Sequence, residues 1–410
     1  MDTPPPASNP AAPLAARLGI LAPSATLATV ARIRRLQAEG EAILDLTAGE
    51  PDFNPPPAAE QAAQEATAAG KGRYTAAAGM MPLRRAVATQ LGRDWGLPYE
   101  PTQVVVTHGA KLAIAQALMA MLDPGDEVLI PIPSWTSYPE MVKLAGGEPV
   151  TVPCRADLLP HVEDLEAART PRSKVLLLNT PCNPTGVVYP PDCLEALGRW
   201  ALEHGIRLIS DEIYGMLTFS DAVHRSPLEL VPELQATSAW IGGMSKTYAM
   251  TGWRMGFLAG PPDLAKAVAT IQSQLAGSPH AISQIASQAA IEQADADVAR
   301  MVAAFSRRAA LVQEGLDAIP ELDARAPEGA FYAWIDCKPI LGRRDPATGR
   351  VIRSGDDFCE VLLEADRVAG MVGSAFGDAD FLRLSFATSE EVLAEALARL
   401  AARVAALETV

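Results

Sequence analysis

The sequence predicts an α/β protein: a mostly parallel sheet covered by helices on both faces, with a smaller α+β domain. Three observations predict it. Between about residues 100 and 260, short apolar runs alternate with amphipathic segments. Nearly continuous apolar strands separated by helices suit a parallel sheet buried on both faces. After about residue 298 the alternation stops, and a long helical stretch leads into a mixed segment. The length, 410 residues, is too great for one ordinary domain and comfortable for two.

The elements follow in order. Residues 1–13 hold five prolines and no apolar run, which predicts a disordered tail rather than a signal peptide. Residues 26–38 are helical in pattern. They belong to an N-terminal arm, 14–48, expected to pack on the smaller domain. The large domain is expected over 49–297. Within it, 104–107 read as a strand and 112–122 as a helix, stopped by Asp123, Pro124, Gly125 and Asp126. Further strands fall at 127–131, 174–179, 207–211, 239–242 and 256–260, with a helix near 193–204. The small domain is expected over 298–410. It opens with a helix at 298–319 and the apolar run from Ala330 to Ile335. A charge-rich loop (342–353), a helix (358–365) and a strand (381–385) follow. A last helix begins at Ser389, a cap before Glu390 and Glu391.

Composition narrows the function. The net charge of −15 argues against nucleic acid, since phosphate-backbone binding needs a basic face. It leaves room for a small anion held by a few local cations. Five cysteines are odd in number and lack CxxC or zinc-ligand spacing, so they read as reduced thiols of a cytoplasmic protein. Five scattered histidines give no metal cluster, and no stretch reaches the length of a membrane span.

The chemistry-bearing residues fall at strand ends, where ligands of such sheets bind. Lys246 lies between the apolar run at 239–241 and the Gly252 turn. Burial favours a neutral, nucleophilic amine, suited to a Schiff base. Arg254 is placed to hold a dianion. Asp211 ends an apolar strand; alone, it reads more readily as a helix cap. Asn183 lies in a loop fixed by Pro181, Pro184 and Gly186, so its side chain projects predictably. Gly109 and Ala110 open a helix after a strand, where free amides hold phosphate. Ser245 and Arg254 would close that cup from the other side. Arg383 sits mid-strand, and a buried cation needs an anion: a ligand carboxylate or an internal ion pair. Trp135 is either a ring-stacking wall or a core residue.

The run from Ser245 to Met255, with the segments around Asp211 and Asn183, resembles the class I/II aminotransferases. These are pyridoxal-phosphate (PLP) enzymes of fold type I. The similarity spans about 14–400 and is greatest to the bacterial aspartate aminotransferase subgroup. The resemblance implies a seven-stranded sheet in a large PLP-binding domain. It implies that Lys246 carries PLP and then acts as base. Asp211 would partner the pyridine nitrogen, and Tyr214 and Asn183 the phenolate oxygen. Trp135 would stack on the ring. The segment from Gly49 to Phe53 is similar to the family's G-E-P-D-F loop, where Gly49 approaches the substrate carboxylate. Arg383 matches the arginine for the α-carboxylate; Lys111 matches a lysine that can meet a distal carboxylate, the alternatives being that it supports the cofactor phosphate or faces solvent. Tyr74 matches a tyrosine reaching the phosphate of the neighbouring subunit, which implies a homodimer with shared sites.

The implied activity moves an amino group between an L-amino acid, aspartate or glutamate first, and a 2-oxo acid by ping-pong chemistry. Aromatic or neutral amino acids are alternative substrates. A C–S lyase or a decarboxylating acyltransferase of the same fold would share Lys246 and Asp211. A PLP-sensing regulator would carry a basic module ahead of the homologous region. The chain departs from the subgroup at 272–279, where Leu275, Ala276 and Gly277 stand in a usually Ser/Thr-rich segment. It also has Ala22 before Pro23, where members acting on prephenate tend to carry a basic residue.

Overall fold

A computed structural model describes residues 15–22 and 25–409. The expected tail over 1–13 lies outside them, as does Pro23. A two-residue strand, β1 (Leu44–Asp45), comes first. The next strands are β2 (Val104–Thr107), β3 (Glu127–Ile132), β4 (Glu148–Pro153) and β5 (Ser173–Asn179). Then come β6 (Arg207–Asp211), β7 (Ala239–Gly243) and β8 (Gly256–Ala259). These seven, β2 to β8, form one sheet in the order β2-β8-β7-β6-β5-β3-β4. β3 to β7 pair in parallel, while β8 is antiparallel to both of its neighbours. Six strands therefore run one way, and their carboxyl ends share an edge.

The apolar runs have a simple cause. Successive side chains of a strand point to opposite faces. Val104, Val106, Leu176, Leu178 and Phe257 enter one core, while Val105, Val175, Leu177, Ile209 and Leu258 enter another across the sheet. Both faces are buried, so neither parity is polar. β4 was not among the strands read from the sequence. It is the sheet edge, is mostly exposed or half-buried, and carries Pro149 and Pro153, which an edge strand accommodates.

The helix Ala110–Met121 starts two residues before the expected 112, because Gly109 supplies the left-handed turn (φ 89°) that launches it. The long helix is Asp295–Asp317, three residues ahead of the expectation, and Asp295 and Asp297 occupy its first turn. The expected 358–365 helix is Gly355–Asp366, capped by the Ser354 hydroxyl.

The remaining strands are β9 (Asp323–Ala324), β10 (Tyr332–Asp336), β11 (Val368–Ala369), β12 (Met371–Val372) and β13 (Phe381–Ser385). An antiparallel sheet, β12-β13-β10-β9, packs with the helices Asp295–Asp317 and Glu390–Ala405 around Phe305, Phe331, Phe358 and Leu384. Ser389 caps the last helix. β1 pairs with β11, and the Ser385 amide donates to the Leu46 carbonyl at 2.8 Å. These bonds stitch residues 44–47 to the smaller sheet. The helix Ala25–Ala38 lies against the same unit: Ile33 packs with Leu363 and Ala369, and Arg32 pairs with Glu360 at 2.7 Å.

Candidate active site

At the carboxyl edge of the main sheet, where it meets β13, lies a cavity of about 430 Å³. Lys246 and Ser245 enter it from the short helix Met244–Thr247 that follows β7. Asp211 enters from the end of β6, with Tyr214 three residues on. Asn183 comes from the loop after β5, and Trp135 from the loop after β3. Ala110 and Lys111 come from the first turn of the helix after β2. Gly49, Arg254 and Arg383 also line the walls, whereas Gly109 is not on the lining. Tyr74 does not line the cavity of its own chain; its side chain is 99% exposed.

Burial sets the electrostatics. Asp211 is almost wholly buried, and burial pushes its carboxyl up to about 6, against hydrogen bonds that favour the charged form. Those bonds come from the Tyr138 hydroxyl (2.7 Å) and the Ile213 amide (3.2 Å). Asp211 has no ion-pair partner among the described residues. Lys246 donates from Nζ to the Gly49 carbonyl, beside the rings of Tyr214 and Phe331 at 6.0 and 5.7 Å. Burial lowers its ammonium to about 8, with Glu50 acting in the opposite sense. That brings the neutral amine within reach of ordinary pH.

Arg383 is also buried, between Tyr332 (4.2 Å) and Phe376 (4.8 Å). Its Nη1 donates to Asn183 Oδ1 at 2.8 Å and its Nη2 to the Thr47 carbonyl at 3.0 Å. Nε has no partner, and no carboxylate pairs with this guanidinium among the described residues. A buried cation without a counter-ion calls for an anionic ligand. Asn183 is positioned by its own amide, which donates to Asn179 Oδ1 at 2.9 Å. The Tyr214 hydroxyl lies 2.9 Å from that of Tyr332.

The opposite end of the cavity is built for close approach. A Cβ on Gly109 would lie 2.6 Å from Arg254 Nη2, and one on Gly256 only 2.2 Å from the Gly109 carbonyl carbon. Glycine at both places lets the helix start, β8 and the guanidinium meet. Arg254 is held by the Thr251 carbonyl at 2.8 Å and has no acidic partner among the described residues. An unpaired arginine beside a helix N-terminus suits a phosphate. Lys111 sits 4.7 Å above the Trp135 ring, and burial, then Arg254, lowers its ammonium.

Several cavity residues were not read from the sequence. Tyr138 stands three residues after Trp135 and could have been found as a hydroxyl on the same loop. Tyr332 was lost inside an apolar run that reads as core. Thr47 contributes a carbonyl, which no side-chain pattern reveals. Glu50 accepts from the Thr251 hydroxyl at 2.7 Å. The departure at 272–279 is structural at its start: Gln272 is buried and donates to the carbonyls of Ala77 and Val106.

A sheet whose loops gather a buried amine, a buried acid and two arginines without acidic partners among the described residues, one of them beside a helix start, has the makings of a PLP enzyme. The donor set fits that cofactor, because Asp211 and Arg254 each lack the partner that a pyridine nitrogen and a phosphate would supply. The family model for aminotransferase class I and II matches residues 41–400. The chain belongs to this family and is a PLP-dependent transaminase. It is 42% identical over 391 residues to the aspartate aminotransferase of Rhizobium meliloti strain 1021, covering 95% of each chain. It is 42% identical over 390 residues to the aspartate/prephenate aminotransferase of Cereibacter sphaeroides, covering 94% of this chain and 97% of that one. The crystal structure of the Rhizobium meliloti aspartate aminotransferase superposes with a TM-score of 0.93 at 41% identity, over 97% of this chain and 100% of that one. Among the described residues, no group of side chains could hold a metal, and no helix is long and apolar enough to cross a membrane. All five cysteines are free.

Proposed function

We propose that the chain is a cytoplasmic, homodimeric aminotransferase for dicarboxylic amino acids, aspartate or glutamate, with 2-oxo acids as acceptors. The observation that carries the reading is that Arg383 and Lys111 share one cavity and neither has an acidic partner among the described residues. Arg383 takes the α-carboxylate, and Lys111 remains for a second one. The names of both curated relatives support it.

PLP, when bound, supplies an electron sink for the electrons released at the substrate Cα. Lys246 Nζ anchors the cofactor and then carries the proton off Cα, for which an amine lowered toward about 8 is suited. Asp211 holds the positive charge at the ring nitrogen, oriented by Tyr138. Tyr214 and Asn183 donate toward the phenolate oxygen. Ala110 and Gly109 amides, Ser245 and Arg254 hold the phosphate, and Trp135 walls the ring. Gly49 closes over the substrate carboxylate. Tyr74, fully exposed in one chain, is free to serve a partner's site. On this reading 14–48 is an arm, 49–297 the large domain and 298–410 the small one.

The test is a panel of amino acids, scored by conversion of bound cofactor to its amine form, in wild type and Lys111→Met. Turnover efficiency for aspartate or glutamate over alanine or phenylalanine should exceed one and fall in the variant. A ratio at or below one in wild type refutes acidic specificity. Release of pyruvate and ammonia instead of a keto acid would mark a lyase.

A further inference from the structure

The helix Ala25–Ala38 has two faces with different tasks. One docks on the smaller unit through Ile33 and the Arg32–Glu360 pair. The other turns Val30, Arg34 and Gln37, spaced at i, i+4 and i+7, onto the cavity wall. Arg34 is the third arginine on that wall, with Arg254 and Arg383. Its neighbours on the helix are paired, Arg32 with Glu360 and Arg35 with Glu39. Arg34 has no hydrogen-bond or ion-pair partner among the described residues.

The cavity carboxylates are otherwise engaged. Asp45 accepts from the Thr47 amide and hydroxyl at 2.9 and 2.6 Å. Glu50 accepts from Thr251, and Asp211 from Tyr138. Among the cavity cations, Lys246, Arg254 and Arg383 have tasks at the cofactor and the α-carboxylate. Arg34 is left over with Lys111. Its planar fork suits a carboxylate better than an ammonium does.

We propose that Arg34 is a specificity-determining residue, supplying a second cation beside Lys111 for the distal carboxylate of a dicarboxylic substrate. The role rests on the acidic-substrate reading above. Because Arg34 rides on a helix docked to the smaller unit, recognition of the distal carboxylate is tied to the placement of that helix.

The experiment measures inhibition of the holoenzyme by succinate, an unreactive dicarboxylate, and by butyrate, its monocarboxylate counterpart. Wild type, Arg34→Gln and Arg34→Lys are compared. Arg34 lies at an exposed rim, so its bond is partly screened, and Arg34→Gln should weaken succinate roughly tenfold. Butyrate inhibition should not change, and Arg34→Lys should recover part of the loss. If wild type prefers succinate and Arg34→Gln keeps the preference, the role of Arg34 is overturned alone. Equal weakening of both inhibitors also overturns it, since that marks a helix-closure effect. If wild type does not distinguish the two, the acidic-substrate reading falls, and Arg34's role with it.

Discussion

Replacing Asp211 by Asn should make the cofactor-free protein more stable while removing most of its activity. The buried carboxyl is raised from its ordinary 3.8 to about 6. The native state thus holds a proton that the unfolded chain releases between about pH 4 and 6. Native stability therefore falls as pH rises through that window, and the full penalty is present above it. The gap from 3.8 to about 6 corresponds to about 3 kcal/mol. Asn removes the charge and keeps an oxygen for the Tyr138 hydroxyl. Urea unfolding of cofactor-free wild type and Asp211→Asn, repeated from pH 4 to pH 8, reads the effect. The difference should be near zero at pH 4 and grow to about 3 kcal/mol in favour of the variant at pH 8. A difference of opposite sign, or one independent of pH, would refute the reasoning. Turnover should move the other way, falling by about a hundredfold or more once a charge-stabilising group is lost from the site.

Lys246→Ala should lose covalent cofactor attachment, and borohydride followed by peptide mapping should label Lys246 in wild type; a label on another lysine sinks the assignment. Arg383→Lys forfeits the fork that reaches Asn183 and Thr47, so turnover efficiency should drop by about a hundredfold or more, from at least ~3 kcal/mol for two charged hydrogen bonds; a loss under tenfold would contradict the α-carboxylate role. Mixing inactive Lys246→Ala with Tyr74→Phe chains should give hybrids with one site free of both lesions and measurable regained activity; a fully active monomer by light scattering would exclude a shared site.

The legible parts of this chain are those where local chemistry and topology coincide. β5, β6 and β7 each carry a buried apolar run, and each is followed by the segment holding a site residue, so Asn183, Asp211 and Lys246 could be read with their strands. β4 could not, because an edge strand half-exposed to solvent has no such run. Arg383 stood out because a charge mid-strand among Phe381, Leu382 and Leu384 is costly. Arg34 did not, since on an exposed helix a charge costs nothing and carries no signal. Its place on the cavity wall depends on how the N-terminal helix docks, which is a tertiary fact. The Thr47 carbonyl and the Tyr214–Tyr332 hydroxyl contact arise the same way, from segments far apart in sequence meeting where the two sheets abut.

The reversed course of β8 explains why the Lys246–Arg254 segment is so compact. A strand parallel to β7 would have to begin at the opposite edge of the sheet, and the connection would carry its residues away from the ligand. Because β8 runs backward, its first residue, Gly256, lies at the ligand edge, beside Gly109. The chain leaves β7, presents Lys246, turns, presents Arg254 and re-enters the sheet without leaving the cavity. On the proposed reading, the separation of these two side chains would act as a ruler between the points that hold the cofactor's aldehyde end and its phosphate. An insertion between Lys246 and Arg254 would lengthen that ruler, whereas one in the outer loops of the sheet would leave it unchanged.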